Sequence, residues 1–289
     1  MKPQSFEYVR AETLDSALEI LADAGDEAKV IAGGQSLVPV MNLRLARPAV
    51  LVDINPLAEL ARVEQRAGAL RLGALVRHRT LERGEVGGAL GGLLAEVAGH
   101  IGHVPVRVRG SIGGSLAHAD PGAEWCLVAL ALEAEVEIAR RGERRRLTVD
   151  AFLDGPFTTA LAPDELVLGL ELARRPGWSY GFAEHARTHG AFAQSGACVA
   201  LQVRDEVVAA ARVAVMGVGG RAERLGPVEA AVVGRPANGA AAAAAGACRE
   251  VVDPAGYDEV SPDYLRALAA AVVRRATAAA IAAPTEERQ

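Results

Sequence analysis

Lysine is nearly missing from this chain of 289 residues: Lys2 and Lys29 are the only two, so almost all of the 31 basic groups are arginine. That bias reads as the mark of a GC-rich coding sequence rather than of a function. Positive charge is not in excess either. The 36 acidic residues leave a formal charge of −5, which excludes the basic surface a nucleic-acid binder needs to neutralise phosphates. Cysteine is scarce, and Cys126, Cys198 and Cys248 stand far apart. This excludes a zinc knuckle, a CxxC redox pair, an iron–sulfur cluster and a disulfide framework, and leaves three small, half-buried apolar residues. Any redox chemistry must therefore be carried by something other than the protein's own sulfur. Long hydrophobic runs are absent as well. With no stretch of about 18 apolar residues and no apolar core behind a basic start in the first ten, neither a membrane span nor a signal peptide is expected, and the chain reads as cytoplasmic. No G-x-S-x-G elbow or Ser/His/Asp arrangement is found, so no side-chain nucleophile is expected.

What remains is a folded protein. A hydrophobic fraction of 51% over this length suits one large domain or two ordinary ones with a proper core. Thr13 is placed to cap a helix carrying Leu14, Leu18 and Leu21 on one face, with Gly25 ending it. A strand from Lys29 to Ala32 runs into Gly33–Gly34, and Val50 to Ile54 forms a second strand. This rhythm belongs to α/β units that bind ligands at loop ends. Further strands are expected over Leu70–Val76 and Leu166–Leu172, and a Gly-rich helix over Ala89–Ile101. Another helix should begin near Ala123, and Glu135–Arg146 should form a hairpin turning at Gly142. Arg174–Gly177 is the candidate boundary. Beyond it come an antiparallel pair, Ala197–Val203 with Val207–Val215, alanine-rich helices including Ala240–Ala245, and a last helix capped by Ser261–Pro262 with Leu265, Leu268 and Val272 on one face. The polar tail after Pro284 is expected to fray.

One short pattern occurs twice. Ala32–Gly33–Gly34–Gln35–Ser36–Leu37 and Ile112–Gly113–Gly114–Ser115–Leu116 each set paired glycines and a hydroxyl behind an apolar residue. Paired glycines let successive backbone N–H groups approach a ligand with no side chain between, which makes an anion nest; the hydroxyl adds a donor, and a following helix adds its dipole. One such loop would hold a phosphate, and two converging loops a pyrophosphate. Each pair read alone is equally a tight turn.

The residues around the two loops carry a resemblance. Ile31 to Met41, with Leu43–Arg44–Leu45–Ala46 and Leu51–Val52–Asp53–Ile54, resembles the FAD-binding medium subunit of molybdenum hydroxylases, the family of the carbon monoxide and xanthine dehydrogenase flavoproteins. Ile101–Gly102–His103, Arg107 and the run Arg109 to Pro121 resemble that family's second flavin loop, and the likeness extends to Tyr264–Leu265–Arg266 and Arg274–Arg275–Ala276. It implies an α+β protein. Residues 1–176 would form a two-subdomain FAD-binding fold of the type found in p-cresol methylhydroxylase and vanillyl-alcohol oxidase relatives, with subdomains of about 1–56 and 57–176. Residues 177–285 would form a C-terminal domain with an antiparallel sheet and helices, and 286–289 a frayed tail.

It also implies a site. Ala32, Gly33, Gly34, Gln35, Ser36 and Leu37 would cradle the FAD pyrophosphate, and Ser111, Ile112, Gly113, Gly114 and Ser115 would close over it. Asp120 and Glu124 would lie near the ribose or the flavin, and Ile101 and Val167 would line the cofactor. No residue would be catalytic and no metal bound, the chemistry residing on the flavin. In the family's Gly–Asp–aromatic–Ala stretch this chain has Gly190–Ala191–Phe192–Ala193, so the acid is missing while Phe192 either covers a flavin face or joins the core. The implied partners are a large molybdenum-cofactor subunit, a small [2Fe-2S] subunit and an external electron acceptor. The alternatives are a self-contained FAD oxidoreductase of the same fold, similar to the reductase of enolpyruvyl-UDP-sugars, and a flavin-free adaptor.

Two further patterns read as decoys. Gly217–Val218–Gly219–Gly220–Arg221–Ala222 fits a dinucleotide fingerprint, but no acid follows in 230–236, so a turn after an antiparallel strand is expected. His185 and His189 have metalloprotease spacing, but Ala186 stands where the glutamate is needed. They and His100, His103 and His118 read as polar residues near the cofactor.

Overall fold

The computed structural model describes residues 2–254 and 260–287. Its first unit is β1 (Glu7–Arg10), α1 (Leu14–Ala24), β2 (Ala28–Ile31), α2 (Leu37–Asn42) and β3 (Val50–Asp53), with the strands in parallel order β1-β3-β2. Thr13 and Ser16 form a reciprocal capping box at the start of α1, which buries Ala17, Leu18 and Leu21 as its 3.6-residue period requires. Because β2 and β3 run parallel, the chain between them must cross over, and the first Gly–Gly loop opens that crossover at the carboxyl end of β2.

The second unit holds β4 (Val63–Arg66), β5 (Ala69–Gly73), α3 (His78–Glu82), α4 (Gly88–His100), α5 (Val104–Arg109), α6 (Ile112–His118) and α7 (Glu124–Ala131). It continues through β6 (Glu135–Arg140), β7 (Glu143–Thr148), α8 (Val149–Phe152), the short pair β8 (Leu153–Gly155) and β9 (Thr158–Thr159), and β10 (Leu166–Ala173). Its sheet is antiparallel in the order β4-β5-β10-β6-β7. The strand expected over Leu70–Val76 ends at Gly73, where Ala74 N–H leaves the ladder to bond Leu168 O and the chain turns toward α3.

The third unit is β11 (Trp178–Ala186), β12 (Ala193–Arg204), β13 (Val207–Met216), β14 (Glu223–Arg224), α9 (Gly226–Val232), α10 (Ala237–Val251) and α11 (Pro262–Ala282), with the four strands antiparallel in sequence order. Asp205 and Glu206 both adopt positive φ, the twist a two-residue hairpin needs. One face of this sheet (Ala197, Val199, Leu201, Val213) packs on α11 and its neighbours, while the other (Trp178, Tyr180, Phe182, Cys198) joins the core of the second unit. Along β11 the large Trp178, Tyr180 and Phe182 alternate with the small Ser179, Gly181 and Ala183, and both faces are covered. Gly217 ends β13 in a turn with no helix after it, as the missing acid implied. His185 lies one residue before the end of β11 and His189 in the loop beyond, so their spacing makes no helical face.

Charge also ties the units together. Glu133 accepts hydrogen bonds from Arg175 and Arg224 and faces Arg212 at 3.0 Å; although burial pushes its carboxyl up, the arginines pull it down to about 2. The frayed tail needs correction at Glu286, which is only 3% exposed. Its carboxylate pairs with buried Arg174 and accepts from Leu90 N–H at 2.8 Å, capping α4, while its backbone bonds to Gly177 and Trp178. A polar tail docks when its acid meets both an arginine and a helix start with unpaired N–H groups.

Candidate functional site

The two Gly–Gly loops meet. A Cβ on Gly33 would run into the carbonyl oxygen of Arg109, so only glycine lets the first loop seat against the residues leading into the second. Gly34 holds φ at +71°, a left-handed conformation that sends the chain from β2 into α2. Among the described residues, none of the N–H groups of Ala32, Gly33, Gly34, Gln35, Ser36 and Leu37 has an intramolecular acceptor; pairing resumes with Val38 N–H to Gly34 O at 3.1 Å. Gln35 and Ser36 are exposed, and Gln35 Nε2 donates back to Gly33 O at 3.2 Å. Six successive unpaired donors beside a solvent-facing loop form an anion cradle.

The second loop is built differently. Its N–H groups are already engaged: Ile112 with Val76 O at 3.0 Å, Gly113 with Ala74 O at 3.0 Å, Gly114 with Ser111 Oγ at 3.3 Å and Ser115 with Ser111 O at 3.0 Å. The expectation of a second backbone nest is therefore corrected. Ser111 is the N-cap of α6 and its hydroxyl is spent on that role. Ile112 and Gly113 are buried, leaving the exposed backbone of Gly114 and the half-buried Ser115 facing outward.

A polar latch joins the loops, and its members were not found from sequence. Asn55 Nδ2 donates to Ala32 O at 2.9 Å, its Oδ1 accepts from Arg77, and Arg77 also donates to Arg109 O. Asp53 aims Asn55 by accepting from its backbone N–H at 2.9 Å; burial raises the Asp53 carboxyl, yet the bonds from Tyr8 and Asn55 hold it below the usual range. The polar Asn55 just past the end of β3 was the available signal, since ligands gather at strand ends; nothing marked Arg77.

Beneath the second loop, Trp125 Nε1–H donates to His78 Nδ1 at 2.9 Å, so the ring proton sits on Nε2, facing Gly110. Burial, helped by Arg77 and Arg107, holds this imidazole neutral down to about 4. Arg107 is also buried; it grips Glu82 through two nitrogens at 2.9 and 3.1 Å and donates to Gly102 O at 2.7 Å, which fixes the Ile101–Gly102 bend.

The other expected residues are placed as follows. Ile101 is buried next to that bend, and Val167 is buried in the core opposite Ile138. Asp120 Oδ1 accepts from Gly122 N–H at 2.8 Å, turning the chain into α7, whose first residue is the half-buried Glu124. Phe192 is 77% exposed, so it is not a core residue. His103 lies 5.9 Å from His189, beside the loop that carries Ala191 and Phe192. The cysteines are buried thiols, each pushed up to about 12 by burial. A row of unpaired N–H groups with the Arg77 guanidinium beside it fits the diphosphate of FAD.

Comparison with known proteins agrees. Residues 4–173 match the FAD binding domain in molybdopterin dehydrogenase, and residues 180–280 the CO dehydrogenase flavoprotein C-terminal domain. Caffeine dehydrogenase subunit beta of a Pseudomonas species is 36% identical over 97% of this chain and 96% of its own length. The 6-hydroxypseudooxynicotine dehydrogenase complex subunit alpha of Paenarthrobacter nicotinovorans is 37% identical over 99% of both chains. In the carbon monoxide dehydrogenase of Hydrogenophaga pseudoflava that lacks the Mo-pyranopterin moiety, one chain superposes with a TM-score of 0.92 at 33% identity, covering 98% of this chain and 99% of that one. The resemblance carried by the two loops is borne out: the chain belongs to the family of FAD-binding medium subunits of molybdenum hydroxylases.

Proposed function

We propose that this chain is the electron-carrying subunit of its complex. It takes electrons from the iron–sulfur clusters of a small [2Fe-2S] partner, fed in turn by a large molybdenum-bearing partner that oxidises the substrate, and delivers them to an external acceptor in the cytoplasm. The observation that carries this reading is the row of unpaired N–H groups from Ala32 to Leu37, in a chain that matches such subunits over nearly its full length. Bound FAD supplies the redox chemistry, since a flavin takes and gives up electrons singly or in pairs.

The chain's own residues bind and orient it. Ala32 to Leu37 hold the diphosphate, and the Asn55–Arg77 latch keeps that loop pressed on Arg109. Ser115 and the open backbone of Gly114 close the far side, Asp120 and Glu124 face the ribose or ring, Ile101 and Val167 supply the apolar wall, and exposed Phe192 stands ready to cover a ring face. In this reading residues 1–176 hold the cofactor and 177–285 form the second domain.

The test is direct. The purified chain should show a flavin spectrum, with FAD identified by mass spectrometry, and should capture molybdenum and iron–sulfur subunits from its source. Gly34→Val should abolish FAD retention with an unchanged circular dichroism spectrum, because valine resists φ of +71°. Full retention of FAD by that variant would refute the cradle.

A further inference from the structure

The Ile101–Gly102 bend and the loop that ends in Phe192 belong to different units, yet each is built against the other. The bend stands between two histidines, and both of them touch the third unit. On one side is His100, the last residue of α4, whose Nδ1 lies 3.0 Å from Oε1 of Glu184 on β11. The same ring stands edge-on to Phe182, with centroids 5.3 Å apart. Glu184 is 9% exposed and its Oε2 is buried and unpaired, so His100 is the one hydrogen-bond partner of this carboxylate among the described residues. A buried carboxylate with a single partner ties the end of β11 to α4.

On the other side is His103, the N-cap of α5, which faces the loop 187–192 between β11 and β12. That loop folds back on itself through Ala191 N–H to Thr188 O at 3.1 Å, with Gly190 at a φ of +78°. Gly190 abuts the His103 imidazole: a Cβ there would stand 2.5 to 2.8 Å from three atoms of the ring. His189 flanks the same ring, with centroids 5.9 Å apart. Glycine is thus required twice at this position, by the left-handed backbone and by the ring against it.

The bend itself is fixed, because Arg107 donates to Gly102 O at 2.7 Å while it grips Glu82. Phe192 follows Gly190 by two residues and is 77% exposed, so no packing around its own side chain holds it. Its place is set by the turn before it and by buried Ala193 after it.

We propose that His100 and His103 are positioning residues, which clamp the end of β11 and the turn at Gly190 to the bend and so fix where Phe192 stands relative to Ile101. The clamp rests on these contacts alone. Its service to the cofactor rests on the reading above, in which Ile101 and Phe192 meet the flavin.

Hydrogen–deuterium exchange of the FAD-free chain tests the clamp. His103→Ala should speed exchange over 187–193 about tenfold while leaving α1 unchanged. His103→Phe, which keeps a flat ring against Gly190, should hold the parent rate. His100→Ala should speed exchange over 182–186. Gly190→Ala drives a methyl into the His103 ring and should also loosen the loop, and adding His103→Ala to it should make exchange no faster, since one contact is removed twice. Parent rates in either histidine-to-alanine variant overturn the proposal, and so does a double variant whose effects multiply. In the FAD-loaded chain, His103→Ala and Phe192→Ala should each raise iodide quenching of flavin fluorescence, and the two together no more than Phe192→Ala alone. If quenching ignores both while the exchange results hold, the clamp stands and the place of Phe192 over the flavin is what fails.

Discussion

The two Gly–Gly loops look alike in sequence and are opposites in structure. In the first, six consecutive N–H groups from Ala32 to Leu37 find no acceptor among the described residues; in the second, those of Ile112 to Ser115 are all engaged at 3.0 to 3.3 Å. The first loop therefore has donors free for a ligand or for solvent, and the second has spent its own. The glycines differ in the same way: Gly34 provides a left-handed turn that exposes donors, whereas Gly113 lets α6 press on Ala74. A repeated motif fixes where small residues stand, but the hydrogen-bond accounting separates the copy with open donors from the copy without.

This contrast can be broken most severely at the contact between the loops. Gly33→Ala drives a methyl into Arg109 O and should weaken FAD binding by about 100-fold, or about 3 kcal/mol, read by calorimetry. An affinity within threefold of the parent would mean that the loops need not touch.

On the scaffold side acid should act through His78. Burial holds folded His78 at about 4 against an ordinary 6.5, so as pH falls the unfolded chain takes the proton first. The contribution is intact above the unfolded value and is lost on falling to the folded one, amounting to about 3 kcal/mol in full. Denaturation at neutral and acid pH should show that loss in the parent and its absence in His78→Gln; equal losses would remove His78 from the account.

The smallest expected effect tests the latch. Asn55→Ala deletes the bonds to Ala32 and Arg77 and should weaken FAD binding about tenfold while leaving the second loop's amide-exchange protection unchanged. Loss of protection in the second loop would show that the two form a single unit.

Local signals carried much of the fold into the sequence. The Thr13 cap, the Gly142 turn between β6 and β7, the Ser261–Pro262 start of α11 and the break at Asp205–Glu206 each rest on neighbouring residues, and each stands in the structure. The placement of both glycine loops was legible for the same reason. What escaped depends on distant partners. The His100–Glu184 bond spans 84 residues and the Asn55–Arg77 bond 22, so neither leaves a local pattern. That the second loop spends its N–H groups on Val76 and Ala74 is equally invisible without the neighbouring strand end in place.

Glu286 sets a clock on the protein's own synthesis. The carboxylate that satisfies the start of α4 is made 196 residues after Leu90, the residue whose N–H it accepts. As the chain leaves the ribosome, the start of α4 must wait without this cap until Glu286 has emerged. The first loop, closed by β3, is finished far earlier. The cap on α4 is thus among the last contacts that synthesis makes possible, and the turn after β2 among the first.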